Sequence, residues 1–193
     1  RKCKMWVKII VASIPAGVVG ILWDDVFTKY FYNYQTVAIM LILIGIVFIV
    51  IERANKNKIA RVDSIDDISY GQAFLIGVFQ MIAAIFPGTS RSGSTIVGSL
   101  MLGISRTAAA EFTFFLAVPA MFGGSAIKIL KYDGGFNSSE VALLAIGMIV
   151  AFVLSIIAIK FLMSYIKKHD FKAFGWYRIV LGVAVIGYFL ATR

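Results

Sequence analysis

The chain has 193 residues, 60% of them hydrophobic, with a formal net charge of +9, and its mean hydropathy is +0.89. That excludes an ordinary soluble domain, where about 45–50% apolar is usual. The one cysteine, Cys3, excludes an internal disulfide framework, and the one histidine, His169, excludes a multi-histidine metal site within this chain.

The apolar runs are continuous rather than alternating, which disfavours a β-barrel, and several approach the ~20 residues a helix needs to cross a bilayer. The fold expected is an all-α polytopic membrane protein with about five transmembrane helices and one re-entrant helical hairpin. The spans are read near Trp6–Trp23, Thr36–Ile51, Thr107–Ile129, Val141–Tyr165 and Gly175–Leu190. Pro15 lies inside the first and is expected to kink it, with Gly17 and Gly20 allowing close helix approach. Pro119 takes the same place in the third, followed by Gly123, Gly124 and Ser125. His169, in Lys167-Lys168-His169-Asp170, reads as a solvated interface residue. The chain opens on Arg1 without a cleavable signal pattern and is read as an internal fragment.

The hairpin is read over residues 66–104, between the second and third spans. Its first arm, Asp66–Phe86, has a helix start at Asp66 or Asp67. Its second arm, Ser94–Gly103, is about 15 Å long at 1.5 Å per residue, half of a hydrocarbon core of about 30 Å. Such an arm cannot span, so the chain turns back at Pro87–Thr95, and other helices must shield this tip.

Basic residues fall in short loops, a membrane topology pattern with some attraction to anionic lipid head groups rather than a nucleic-acid surface. Arg1, Lys2, Lys4, Lys8, Arg53, Lys56, Lys58, Arg61, Arg106, Lys160, Lys167, Lys168 and Lys172 share one face if the hairpin returns to its own side. The other face has Lys29, Lys128, Lys131 and Arg193. The richer face is expected to be cytoplasmic, which puts the C-terminus and the Asp24–Gln35 and Tyr132–Ser139 loops outside. Tyr30, Phe31, Tyr32 and Tyr34 suit an outer interfacial belt, and Trp176, Tyr177 and Arg178 an inner one.

The tip, Pro87-Gly88-Thr89-Ser90-Arg91-Ser92-Gly93-Ser94-Thr95, is polarity in the wrong solvent. An uncompensated polar group in hydrocarbon costs several kcal/mol, so such a loop marks a functional site. Gly88 and Gly93 let backbone N–H groups approach a ligand, the hydroxyls donate, and the helix beginning at Ser94 presents free N–H groups. Arg91 supplies a planar fork for phosphate or carboxylate. Together they describe an anion site suited to phosphoryl oxygens. The Walker spacing is absent. A structural alternative stands beside it: Arg91 pairs with a buried acid such as Glu111 while the hydroxyls cap helices. Gln80, seven residues before Pro87, either faces the same cavity or bonds between helices.

The run Gly77-Val78-Phe79-Gln80, the tip, Ser105-Arg106 and Glu111-Phe112-Thr113-Phe114-Phe115-Leu116-Ala117-Val118-Pro119 together resemble the undecaprenyl-diphosphate phosphatase family, the bacitracin-resistance type of membrane phosphatase. The opening Ile14-Pro15-Ala16-Gly17-Val18-Val19-Gly20 and Ile51-Glu52-Arg53 fit as well. The resemblance implies removal of the terminal phosphate of undecaprenyl diphosphate in the peptidoglycan lipid-carrier cycle, in the bacterial plasma membrane. It also implies a divalent cation (Mg or Ca), an outward-facing site and two inverted repeats; a homodimer is one assembly open to the chain, whose sequence does not set its oligomeric state. Residues 1–65 would hold the last two spans of the first repeat, and 66–193 the second repeat.

One departure is serious. The family's paired glutamates, serine-rich stretch and histidine have no match here, and the positions that would mirror those glutamates are Gln80 and Ala84. Arg91, Ser90 and Thr95 are therefore expected at the reacting phosphates, with Gly88, Thr89, Ser92, Gly93, Ser94 and Gln80 as binding groups. No metal ligand is assigned within the chain. Ser90 has no base in its sequence neighbourhood, and alone the chain is expected to be inactive or nearly so. The competing reading is a lipid-phosphate transporter or flippase using the same hairpin. A purely structural membrane protein leaves Arg91 unexplained.

Overall fold

The computed structural model describes residues 2–56, 58–132, 134–135 and 137–192. Arg1 and Arg193 of the charge pattern, and Asp133 and Phe136 of the Tyr132–Ser139 loop, lie outside the described residues. The helices are α1 (Lys2–Phe31), α2 (Tyr34–Ala54), α3 (Tyr70–Ile85), α4 (Arg91–Met101), α5 (Arg106–Leu130), α6 (Ser138–Ile166) and α7 (Lys172–Ala191). Five of them, α1, α2, α5, α6 and α7, are long and apolar enough to cross a membrane, as the sequence led one to expect. With 16 and 11 residues, α3 and α4 reach only about 24 and 17 Å, so neither arm spans. Among the described residues the only β pairing is an isolated bridge, Val62 to Ile104.

Helix starts differ from the sequence reading. Asp66 and Asp67 lie in a short 3-10 turn, Ile65–Asp67, and α3 begins later, behind Ser69. The cause is a capping box: Ser69 Oγ accepts from Gln72 N at 3.1 Å, while Gln72 Oε1 accepts from Ser69 N at 2.9 Å. The second arm starts at Arg91 rather than Ser94, because Ser90 Oγ accepts from Gly93 N at 3.3 Å and caps it.

Residues 1–120 with 170–193 form one compact unit, and residues 121–169 a second. In the first, α1 packs on α3, α2 on α7, and α4 on both α3 and α2. Its apolar core holds Ile9, Ala12, Ile68, Ile76, Phe112 and Leu116. The helix seams are made by glycine. A Cβ on Gly77 would stand 2.3 Å from the Ala12 carbonyl oxygen, and Cβ atoms on Gly45 and Gly175 would each stand 2.7 Å from the other's carbonyl. Such backbone contact is how helices gain dispersion energy where lipid supplies no hydrophobic drive. The glycines expected to do this do not: a Cβ at Gly17, Gly20, Gly123 or Gly124 meets nothing within 4 Å. Both Pro15 and Pro119 lie inside continuing helices.

Polar bonds gather several chain ends at one end of this unit. Lys8 Nζ donates to Asp66 O at 2.6 Å, and Asn55 Nδ2 to Leu100 O at 3.1 Å. Arg61 N donates to Gly103 O and Ser105 N to Val62 O, both at 2.8 Å. Arg106 grips the buried Glu52 with Nε at 3.0 and 3.1 Å and Nη2 at 2.5 Å, and Phe171 N donates to Glu52 Oε1 at 3.1 Å. The hairpin therefore enters and leaves at the same end, as the short second arm led one to expect. Near the start of α7, Lys172 pairs with Asp170 at 2.7 Å, and that hydrogen bond holds the exposed carboxyl below its ordinary range.

In the second unit α6 has no buried residue in its apolar window. His169 is exposed, as expected, and its ring stacks on Tyr165 at 4.4 Å.

Candidate functional site

The tip is built by three consecutive constraints. Gly88 has φ +87°, and a Cβ there would lie 2.5 Å from Val37 O, so both backbone angle and space demand glycine. Thr89 is fully buried and donates its hydroxyl to Phe86 O at 2.7 Å. Ser90 then sits at φ +66°, the one described non-glycine residue with positive φ. A backbone in that region costs about 1–3 kcal/mol and persists only where its surroundings enforce it.

The tip reaches far from the hairpin's base. Phe86 packs its ring on Phe31, at the end of α1, with centroids 4.9 Å apart, while Gly88 abuts Val37 in the first turns of α2. The base lies beside Asn55, at the other end of α2. From Asn55 to Val37 is ~27 Å along a helix. The loop therefore lies toward the end of the unit opposite the hairpin's base.

Arg91, half-buried in the first turn of α4, donates Nη1 to Ala117 O on α5 at 3.4 Å. Among the described residues it makes no ion pair; the salt bridges found are Arg106–Glu52 and Lys172–Asp170. The alternative in which Glu111 neutralises Arg91 is therefore set aside. The first-turn N–H groups of Arg91 and Ser92 have no intrahelical acceptor. Ser90 is exposed at the same end and Ser92 half-buried. A guanidinium without an acid, a hydroxyl and a helix N-terminus converge on one place.

Other predicted donors turn inward. Thr95 Oγ1 is buried, 3.1 Å from both Arg91 O and Ser92 O and 2.9 Å from Thr113 Oγ1. Its proton is engaged in fastening α4 internally and to α5, so it is a brace beneath the site rather than a ligand-facing donor. Thr89 is likewise spent on its own turn. Gly93 is buried and supplies the N–H that Ser90 accepts. Two of the predicted binding groups hold an orphaned atom: Gln80 Oε1 and Ser94 Oγ are buried without a partner among the described residues. Such atoms are rare in finished cores.

Sequence reasoning missed Arg178. Assigned to an interfacial belt with Trp176 and Tyr177, it turns inward from α7 instead. Its Nη2 donates to Gly88 O at 2.5 Å and Thr89 O at 2.8 Å. Trp176 and Tyr177 stay exposed, as a belt requires. At the other end Tyr30 and Tyr32 are exposed, whereas Phe31 packs on Phe86 and Tyr34 stacks on Phe189 at 4.0 Å. The available signal was the one that marked Arg91: a cation well inside an apolar helix. Thr113 and Glu52 were also passed over as site-supporting residues.

The donor set does not fit a divalent cation. Hard cations take carboxylate-rich oxygen cages, and among the described residues no three His, Cys, Asp or Glu side chains come together. Arginines Arg91 and Arg178 beside the loop favour an anion instead.

A family profile described as bacitracin resistance protein BacA matches residues 1–184. An undecaprenyl-diphosphatase of Desulfitobacterium hafniense is 66% identical over 188 residues, covering 97% of this chain and 68% of that protein. Undecaprenyl-diphosphatase 1 of Clostridium acetobutylicum is 62% identical over 186 residues, covering 96% and 68%. An Enterococcus faecalis undecaprenyl-diphosphatase is 57% identical over 182 residues, covering 94% and 66%. The chain thus spans about two thirds of the length of these relatives. With a matching profile over nearly its whole length and relatives this similar, the chain belongs to the bacitracin resistance protein BacA family.

Proposed function

We propose that the full-length protein carrying this chain hydrolyses undecaprenyl diphosphate to undecaprenyl phosphate and inorganic phosphate. The observation that carries this reading is Arg91: a half-buried guanidinium, without an acidic partner among the described residues, at the N-terminus of α4. In the reaction, water attacks the terminal phosphorus and the bond to the bridging oxygen breaks, leaving charge on the lipid monophosphate. Arg91, the N–H groups of Arg91 and Ser92, and the Ser90 hydroxyl hold the phosphoryl oxygens and stabilise that charge. Gly88 and Gly93 act from beneath, Gly88 by letting the turn pack on Val37 and Gly93 by donating its N–H to Ser90 Oγ, and the half-buried Ser92 completes the first turn of α4. Gln80 and Ser94 offer their orphaned oxygens to partners beyond the described residues.

Ser90 as nucleophile is not favoured, because its Oγ accepts from Gly93 N and no base neighbours it. The reaction further needs a general base and, for a magnesium or calcium ion, a set of carboxylates, which do not come together among the described residues. In this reading residues 66–193 form the second of two inverted repeats. The protein lies in the bacterial plasma membrane with the basic hairpin base cytoplasmic and the C-terminus outside. The loop then opens toward the outer face.

Phosphate release from a polyprenyl diphosphate by the full-length protein tests this. Arg91→Ala is expected to lower turnover ~10²- to 10³-fold, the usual effect of losing one oxyanion-stabilising donor; unchanged turnover removes Arg91 from the site. The absence of a base beside Ser90 also suits a lipid-phosphate carrier. Movement of a non-hydrolysable analogue across liposomes, with no phosphate release from the natural substrate, would replace the phosphatase reading with that one.

A further inference from the structure

Arg178 lies on α7, far in sequence from the tip, yet one of its nitrogens binds two successive tip carbonyls, Gly88 O and Thr89 O. Those are the oxygens flanking the strained stretch from Gly88, φ +87°, to Ser90, φ +66°. Few other contacts hold this stretch: Gly88 lies against Val37, and Thr89 bonds back to Phe86 O. The chemistry of the site makes the direction of these carbonyls decisive. A carbonyl facing a phosphoryl oxygen repels it, whereas an N–H attracts it. Consecutive peptide units in a turn expose one kind of group only when the other is engaged elsewhere.

We propose that Arg178 is a positioning residue for phosphoryl transfer. By drawing the Gly88 and Thr89 carbonyls toward α7, it leaves the tip with a donor face and holds Ser90 and the first turn of α4 in register with the substrate. Its role is geometric: it acts through the loop and does not touch the phosphate. Two features support this. The Nη2 of Arg178 has two N–H groups, and the two carbonyls engage both, so that nitrogen is committed to the loop. The helix that carries it is anchored on both sides of the residue, by Gly175 against Gly45 and Gly182 against Ala38 O. The arginine therefore projects from a fixed platform.

The inference rests on the phosphatase reading, and the two can fail separately. In steady-state assays of the full-length protein on a polyprenyl diphosphate, absence of wild-type turnover defeats the phosphatase reading itself. Given wild-type turnover, Arg178→Ala is expected to lower kcat ~30- to 100-fold with KM changed less than about threefold, as misplacement by ~1 Å does. Arg178→Lys, which keeps a donor of shorter reach, is expected to recover part of that loss. A guanidinium that merely attracted the anion would instead raise KM at unchanged kcat, and that outcome overturns the proposal. So does an unchanged kcat in Arg178→Ala. Should Arg178→Ala fail to accumulate as folded protein, Arg178→Lys decides alone. A kcat about three- to tenfold below wild type at unchanged KM supports positioning, and wild-type kcat overturns it.

Discussion

Gly88 meets two demands at once, a positive φ and a contact with the Val37 backbone too close for any side chain. Gly88→Ala is therefore expected to cost on the order of 3 kcal/mol, the sum of backbone strain and overpacking. Thermal unfolding in detergent should report it as a lowered Tm, and phosphate release should fall with it because Ser90 and Arg91 follow directly. At this scale the sequence showed what chemistry was present better than where it pointed. Arg91 was legible because a guanidinium in an apolar setting must have a reason. Thr95 was misread because a hydroxyl in a motif looks the same whether it faces a ligand or a neighbouring helix. Only its 2.9 Å contact with Thr113 tells them apart. Arg178 was misread because Trp176 and Tyr177 beside it do face outward, and one helical step separates lipid from protein.

The helices were legible as elements, since each depends on a run of apolar residues and its own caps. Their seams were not. A glycine's Cβ-less face packs only if a partner helix lies on that side, and partners are a tertiary matter. A Cβ at Gly17 or Gly20 meets nothing within 4 Å among the described residues, while Gly45, Gly77 and Gly175 meet backbone directly. The pairing of α2 with α7 depends on that contact. Gly175→Val is expected to force the helices apart and cost about 1–3 kcal/mol, read as a lower Tm. The same change at Gly124, where a Cβ meets nothing within 4 Å, should leave Tm near wild type. A loss at Gly124 as large as at Gly175 would contradict this seam. Boundaries shifted by a few residues wherever a serine cap lay beyond the acidic residues that had suggested a start.

Across the first compact unit, Glu52 joins α2 to Arg106 at the start of α5 and to the backbone of Phe171 before α7. It is 1% exposed, so its charge depends on Arg106 and that N–H. Arg106→Met is expected to cost about 3–5 kcal/mol by stranding the buried Glu52 carboxylate, whereas the double change Glu52→Leu with Arg106→Met should recover much of it. Chemical denaturation of the three proteins checks this, and a double variant no better than the single one would mean the pair contributes more than mutual neutralisation. The hairpin was legible from arm length because length is a sum over many residues. The reach of the tip was not, because it depends on a turn whose conformation comes from Val37, Phe86 and Arg178.

The neck of the hairpin has one more implication. Arg61 and Val62 on the way in are bonded to Gly103 and Ser105 on the way out, so residues 61–105 close on themselves before joining anything else. Just ahead of that closure Ile59 is 94% exposed. The link at Ile59 is not what holds the parts together, since α1 and α2 are joined to the remainder by α3, α4, α7 and Glu52. The peptide link at Ile59 is thus a tether rather than a strut: a nick there parts the backbone and leaves the hairpin clasped shut.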